Sequence, residues 1–232
     1  MPKIYGTLND VDIVKAVKRQ TRYFDLWSRN AIGKLGWLGQ RELKRLKLLP
    51  RIHITDFDSK PGSQGGPLGT NSYNLRLAPK LLTYKLTQGI STTLRTDGCV
   101  PFLDSRKKNP TEEIIIPPEG YMLMPGTLYL GSTVEYTETY NLVPNLDGRS
   151  STGRLGMFIH VTAGRGDVAF CGRWTCEILV VHPLRIYPGD PLLQITYNTI
   201  RPGGAQYAGR YQRSTDVMSS RFYLGDKLIT TF

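Results

Sequence analysis

A mainly β fold is predicted by three features of the chain. Short runs of β-forming residues recur from Ser72 to Tyr197, with Gly, Pro, Asn and Asp clusters between them. No long amphipathic helix interrupts them. Helical periodicity is confined to the segment before Pro50. Strands this short and turns this closely spaced suggest a double-sheet or barrel-like arrangement.

At the N-terminus, Asn9 can cap a first helix over Asp10 to Arg19. In GQRELKRLKLLP, Leu43, Leu46 and Leu49 repeat at helical spacing. After Pro50 the text changes to IHITDFDSKPGSQGGPLGTNSYNLRL, in which a Gly- and Pro-rich loop at 61–69 leads into the strand-like SYNLRL. LLTYKL, EIIIPP, YMLMPGTLYLGSTVEY and LRIYPGDPLLQITY supply further strands. The closing AQYAGRYQRSTDVMSSR is too rich in Gly, Ser and Arg for a core element and reads as a C-terminal arm over about 203–232.

With 232 residues, 40% hydrophobic, and no compositional break, the chain can bury a sizeable core in one domain over 1–232. No apolar run could span a bilayer, and MPKIYGTLND lacks the form of a signal peptide, so no membrane association and a cytoplasmic location are expected. Cys99, Cys171 and Cys176 are odd in number, which argues against a disulfide framework. Cys171 and Cys176 could be half a metal site, but no Cys–His spacing completes one, and buried small hydrophobes are the better reading.

The net charge of +11 is concentrated between Lys15 and Arg51, where basic residues face few acids. Such a surplus suits a phosphate-rich partner, nucleotide or nucleic acid. For GQRELKRLKLLP a solvated helix face is the favoured alternative, so nucleic acid is a possible partner but not the preferred one.

Polar groups accumulate at one place where the pattern demands core, Asp147 to Leu179. In GRWTCEILVV, Thr175, Glu177, Leu179 and Val181 alternate with Trp174, Cys176, Ile178 and Val180, and both faces turn apolar, which predicts a buried strand from Gly172 to Val181. A carboxylate inside it is costly unless paired or protonated, so Glu177 is expected to have a raised pKa suited to general acid–base work; an ion pair with Arg173 is the structural alternative. GRSSTGRLG sets Ser150 and Arg154 four apart, on one face if a helical turn forms, as in an anion cradle or an ordinary capped surface turn. FIHVTAGRGDVAF reads as strand from Phe158 to Thr162, tight turn, strand, a hairpin that would bring Asp167 and the HVTA backbone beside Glu177. Asp167 has an alternative as an Asx-turn residue.

DGRSSTGRLG, HVTAGRGD and the strand ending in Glu177 together resemble the signature of the deoxycytidine triphosphate deaminase and deoxyuridine triphosphatase family, in the family's order and without a gap. SYNLRL and the arm around Gly209, Arg210, Tyr211 and Gln212 resemble further family segments, whereas about 20–50 looks like a basic helical insertion. The resemblance implies a distorted jelly-roll, dUTPase-like fold with short N-terminal helices, assembled as a homotrimer with each active site at a subunit boundary. Three departures stand out: Asn74 occupies a position often held by aspartate, Arg210 replaces a lysine, and RSTDVMSS replaces the glycine-bearing stretch expected after Gln212.

What the resemblance implies is deamination of dCTP to dUTP and ammonia, with dUTP serving thymidylate synthesis. Zinc deaminases carry H-x-E and P-C-x-x-C, which this chain lacks, so a route without zinc is implied, with magnesium riding on the triphosphate. Glu177 would be the proton shuttle, Arg154 and Ser150 would position water and substrate, and the Ala163 carbonyl would accept from water. His160, Val161 and Thr162 would lie along the substrate, Asp167 would accept from the 3′-hydroxyl, and Phe170 would pack on the sugar. Arg149, Ser151, Gln194, Arg210 and Tyr211 are the phosphate-side candidates, and Gln212 of the same arm is a further substrate-binding candidate. Gln194 has an alternative in a sheet hydrogen bond. Because relatives that hydrolyse dUTP use an aspartate at the Asp167 position, a bifunctional enzyme or a dUTPase giving dUMP and pyrophosphate is the alternative activity. A non-catalytic nucleotide- or nucleic-acid-binding protein is the rival from another class.

Overall fold

Apolar residues alternate with polar ones through most of the strands, and in the computed structural model of this protein the apolar set meets in one core. Residues 6–86, 102–201 and 203–225 are described; Cys99 and the end of the arm lie outside them. The chain forms helix α1 (Asp10–Ala31), helix α2 (Trp37–Lys47) and strands β1 (Arg51–Ile54), β2 (Tyr73–Leu75), β3 (Leu77–Tyr84), β4 (Thr111–Ile115), β5 (Tyr121–Leu123) and β6 (Tyr129–Thr133). It continues with β7 (Thr137–Tyr140), β8 (Leu142–Gly148), helix α3 (Ser150–Arg154), β9 (Met157–Phe158), β10 (Cys171–Gly172), β11 (Thr175–Val180), β12 (Leu184–Ile186) and β13 (Leu193–Thr199).

These strands build a sheet ordered β4-β3-β6-β11-β9 and smaller sheets β2-β13-β8, β1-β7-β10 and β12-β5. Between them lies a core that includes Ile52, Leu75, Leu81, Leu123, Ile178, Leu193, Ile195 and the fully buried Tyr197. The mainly β class expected from the sequence is the class observed.

Helix α1 starts where the cap predicts, with Asn9 Oδ1 accepting the Asp12 N–H at 2.9 Å, but runs beyond Arg19 to Ala31. The extension is held partly by Arg51 of β1. Its buried guanidinium lies 3.9 Å from the Tyr23 ring and 4.5 Å from that of Tyr140, and donates to Gln20 Oε1 at 2.8 Å. Farther along α1 Leu26 is buried, as is Leu46 of α2, the helix that packs on α1.

The strand expected from Gly172 to Val181 is broken. Gly172 pairs with Thr137 of β7, and the chain then crosses to the larger sheet, where β11 begins at Thr175 and pairs with β6. On β11, Cys176, Ile178 and Val180 are buried while Thr175, Glu177 and Leu179 are half-buried, so one face is core rather than two. The expected hairpin does not form among the described residues: Met157 and Phe158 pair with Val180 and Leu179 of β11, a loop follows instead of a strand to Thr162, and β10 after that loop pairs with β7. That loop is pinned to β8, with the Leu146 N–H donating to Gly164 O at 2.7 Å and the Gly166 N–H to Pro144 O at 2.9 Å.

Candidate active site

Because β11 leaves its second face uncovered by core, that face is free to wall a cavity. A space of about 520 Å³ opens over Thr175 and Glu177. One side is the loop after β9, contributing Val161, Ala163, Arg165 and Asp167; another is Phe170, Arg173 and Trp174 where the chain changes sheets. Phe170 is 7% exposed and packs on Trp174 with ring centroids 4.2 Å apart, making an aromatic wall that Tyr207 extends at 6.0 Å. Gly166 allows this closeness, since a Cβ there would come within 2.3 Å of the Trp174 ring.

The Glu177 carboxylate is tied to the loop at one oxygen. Its Oε2 accepts the Val161 N–H at 3.0 Å, and the Glu177 N–H donates to Ile159 O at 3.0 Å. Among the described residues Oε1 has no partner and Glu177 makes no ion pair, with Arg173 or any other cation. The deep burial on which its expected titration rested is replaced by a half-buried position at the cavity wall. On the other side of the strand, burial, with the neighbouring Glu177 charge, pushes the Cys176 thiol up to about 12, which fits an inert core residue. Cys171 departs from that reading, being half-buried.

The arm closes the cavity from above. It runs alongside β10 as Arg213 N–H donates to Cys171 O at 2.7 Å and Arg173 N–H donates to Ser214 O at 2.8 Å. Gly172 permits the approach, because a Cβ there would lie 2.6 Å from Ser214 Oγ. Farther along, the Met218 N–H donates to Thr175 Oγ1 at 3.1 Å and the Ser220 N–H to Tyr84 OH at 2.9 Å. Tyr207, Tyr211 and Ser214 thus face the space that Glu177 faces. Burial, with the Asp167 charge adding to it, raises the pKa of Tyr207, so its hydroxyl stays protonated at neutral pH.

Of the residues predicted from sequence, Glu177, Val161, Ala163, Asp167, Phe170 and Tyr211 line this cavity. Gln212 lies under the arm rather than in the cavity: its Oε1 accepts the Cys171 N–H at 2.9 Å and its Nε2 donates to Ala169 O at 2.8 Å and Tyr207 O at 3.1 Å. Arg210 donates within the arm, to Arg221 O at 2.7 Å and to Gly225 O. Thr162 is exposed on the loop. His160 sits beside Asp147, with Nε2 3.6 Å from Oδ1, and does not line the cavity. Gln194 stands half-buried in β13 between Asn74 and Asp147 and does not line the Glu177 cavity.

The GRSST group lies elsewhere in the chain. Residues 150–154 do form the helical turn, so Ser150 and Arg154 share a face, and both are exposed with Ser151. Arg149 donates to Pro191 O at 2.9 Å and borders a second cavity of about 630 Å³ with Asn74, Arg76 and Glu135. Sequence reasoning missed Tyr84, Arg165, Trp174, Tyr207, Ser214 and Met218 as cavity residues. Arg165 and Trp174 stand within the motifs already singled out; nothing local marks Tyr84, which arrives from β3.

A one-sided carboxylate, a second acid, two arginines and an aromatic wall suit a base and sugar carrying phosphates. The model of the family described as dCTP deaminase-like matches residues 37–200. The chain belongs to that family. A Cytophaga hutchinsonii protein named "dCTP deaminase, dUMP-forming" is 49% identical over 157 residues, covering 67% of this chain and 83% of that one. A Leptospira biflexa protein of the same name is 46% identical over 186 residues, 80% of this chain and 94% of the other. Among solved structures, a 2′-deoxycytidine 5′-triphosphate deaminase from Agrobacterium tumefaciens aligns at 20% identity with a TM-score of 0.46, covering 64% of this chain and 44% of that chain. The dCTP deaminase-like match takes in Glu177, Arg154 and Asp167, while α1 precedes it and Arg210, Tyr211 and Gln212 follow it.

Among the described residues no helix is long and apolar enough to cross a membrane, and no group of three or more His, Cys, Asp or Glu could hold a metal ion.

Proposed function

We propose that this chain deaminates dCTP and carries the product on to dUMP and pyrophosphate, the alternative that the sequence held beside a dUTP-releasing deaminase. The observation that carries the reading is that Glu177 and Asp167 face one aromatic-walled cavity in a member of the dCTP deaminase-like family. The names of the relatives support dUMP as the end product.

In the first step Glu177 takes a proton from a water that attacks C4 of cytosine. It passes the proton to the ring nitrogen, and the second proton of that water leaves with ammonia, so one carboxyl serves every transfer. The Val161 amide fixes one oxygen and leaves the other to face water. Ala163 O accepts from that water. Asp167 orients the 3′-hydroxyl and, in the second step, water directed at the α-phosphorus, from which pyrophosphate departs. Magnesium enters as part of the nucleotide substrate.

Ser150, Ser151, Arg154 and Arg149 would be supplied to this cavity by a second copy, within the trimer the resemblance implied. Two facts support sharing: these groups do not line their own chain's Glu177 cavity, and Leu155, Phe158, Val161 and Val181 nearby are each more than half exposed. Such a patch fits burial between copies. In this reading the single domain spans 1–232, and the basic helical segment at 20–50, of which 37–50 falls within the family match, lies outside the catalytic parts.

A second reading, a deaminase that stops at dUTP, draws on the arm, where RSTDVMSS stands in place of a glycine-bearing stretch. Incubation of the purified protein with dCTP, and separately with dUTP, plus magnesium separates them. Ammonia and pyrophosphate in equal amounts from dCTP support the first reading. Ammonia with accumulating dUTP supports the second, and no ammonia from dCTP would refute both.

A further inference from the structure

Helix α2, WLGQRELKRLK, spends its apolar side on α1. Leu46 is buried, Gly39 and Leu43 are half-buried, and Glu42, the acid of this helix, turns the same way to meet Arg22 of α1 at 3.4 Å. The opposite side carries Trp37, Arg41, Lys44 and Leu48 at three- and four-residue intervals, flanked by Arg45 and Lys47, and all six are exposed. Among the described residues none of these cations makes an ion pair. Trp37 is 69% exposed, with the Arg41 guanidinium 5.8 Å from its ring centroid.

An acid-free row of cations beside an indole with one open face matches a particular chemistry. Phosphates are neutralised by lysine and arginine, and an unstacked base finds a platform on an exposed aromatic ring. We propose that the outer face of α2 binds single-stranded nucleic acid, with Arg41, Lys44, Arg45 and Lys47 on the phosphates and Trp37 stacking on a base. This goes beyond the solvated helix face expected for the segment. An anionic lipid surface fits less well. A helix lying in a bilayer interface needs a continuous apolar stripe, and here Arg41 and Lys44 separate Trp37 and its exposed neighbour Leu38 from Leu48, while Leu43 and Leu46 are withdrawn from the surface. None of these residues lines the Glu177 cavity, so the surface is independent of the catalytic reading.

The test is fluorescence anisotropy of the full-length protein with a labelled oligothymidylate of about 20 nucleotides across a salt series. Binding should weaken as salt rises, with a log–log slope of about −0.7 for each phosphate engaged. Lys44→Glu with Arg45→Glu should cost at least about tenfold in affinity and flatten that slope, with ammonia release from dCTP unchanged. Trp37→Ala should cost roughly tenfold, and Trp37→Phe should restore most of the loss. The proposal is overturned if the oligonucleotide does not bind at low salt, if charge reversal leaves affinity unchanged, or if duplex binds equally well and Trp37→Ala has no effect. It is also overturned if phosphatidylserine vesicles bind the protein and the oligonucleotide does not compete.

Discussion

Glu177 Oε2 accepts the Val161 backbone N–H at 3.0 Å, across a loop whose preceding residue, Ile159, accepts the Glu177 N–H at the same distance. The carboxylate is therefore aimed by one bond to a loop that the backbone of the same residue also anchors, which holds its second oxygen toward the cavity without burying the charge. Aiming by backbone amides preorganises such a group because amides cannot swing away as side chains do.

Sharing of the site between copies predicts subunit complementation. Glu177→Gln and Arg154→Ala proteins, each inactive alone, should recover partial dCTP deamination after they are mixed under conditions that exchange subunits. Mixed assemblies contain some sites with an intact Glu177 from one copy and an intact Arg154 from another. A mixture as inactive as its components would place both residues in the same copy's site, or Arg154 outside it.

The arm depends on Gln212, whose amide joins Cys171, Ala169 and Tyr207. Gln212→Ala removes three hydrogen bonds to these backbone groups and should weaken arm docking by about 1–3 kcal/mol. Trypsin should then cut at Arg210 or Arg213 faster, and the KM for dCTP should rise. Unaltered cleavage and KM would show that the arm is held by its other contacts.

The arm should also respond to acid. Burial pushes the Asp216 carboxyl up, but hydrogen bonds from Lys80 Nζ, at 2.7 Å, and from the Val217 N–H outweigh it and hold it below the usual carboxylate range. A carboxyl with a depressed folded pKa stabilises the folded arrangement above its unfolded pKa of about 4 and loses that contribution as pH falls. Hydrogen exchange in the arm, corrected for its intrinsic pH dependence, should therefore accelerate below about pH 4. Asp216→Asn should show the faster exchange already at neutral pH and a flatter profile. An identical profile in the two proteins would contradict the assignment.

Much of this could be read from the chain because local chemistry dictated it. The β-forming runs, the Asn9 cap and the helical turn that places Ser150 and Arg154 on one face are set by residues near each other in sequence. The failures are non-local. Gly172 continues the alternation of GRWTCEILVV, yet the strand breaks there because β7 and the arm claim that backbone. Leu179 and Val181 made the second face of β11 look like core; the structure leaves Leu179 half-buried and Val181 64% exposed. Gln212, placed with the substrate by resemblance, is engaged by backbone groups that a sequence cannot bring to it.

The most direct measurement is ammonia release from dCTP by the native protein and by Glu177→Gln, with nucleotide binding followed in parallel. Gln keeps an oxygen for the Val161 N–H but cannot carry the proton. The account predicts at least about a hundredfold slower release, with dCTP affinity and thermal stability retained. Undiminished release from Glu177→Gln would contradict the assignment of Glu177 as the shuttle and, with it, the central claim.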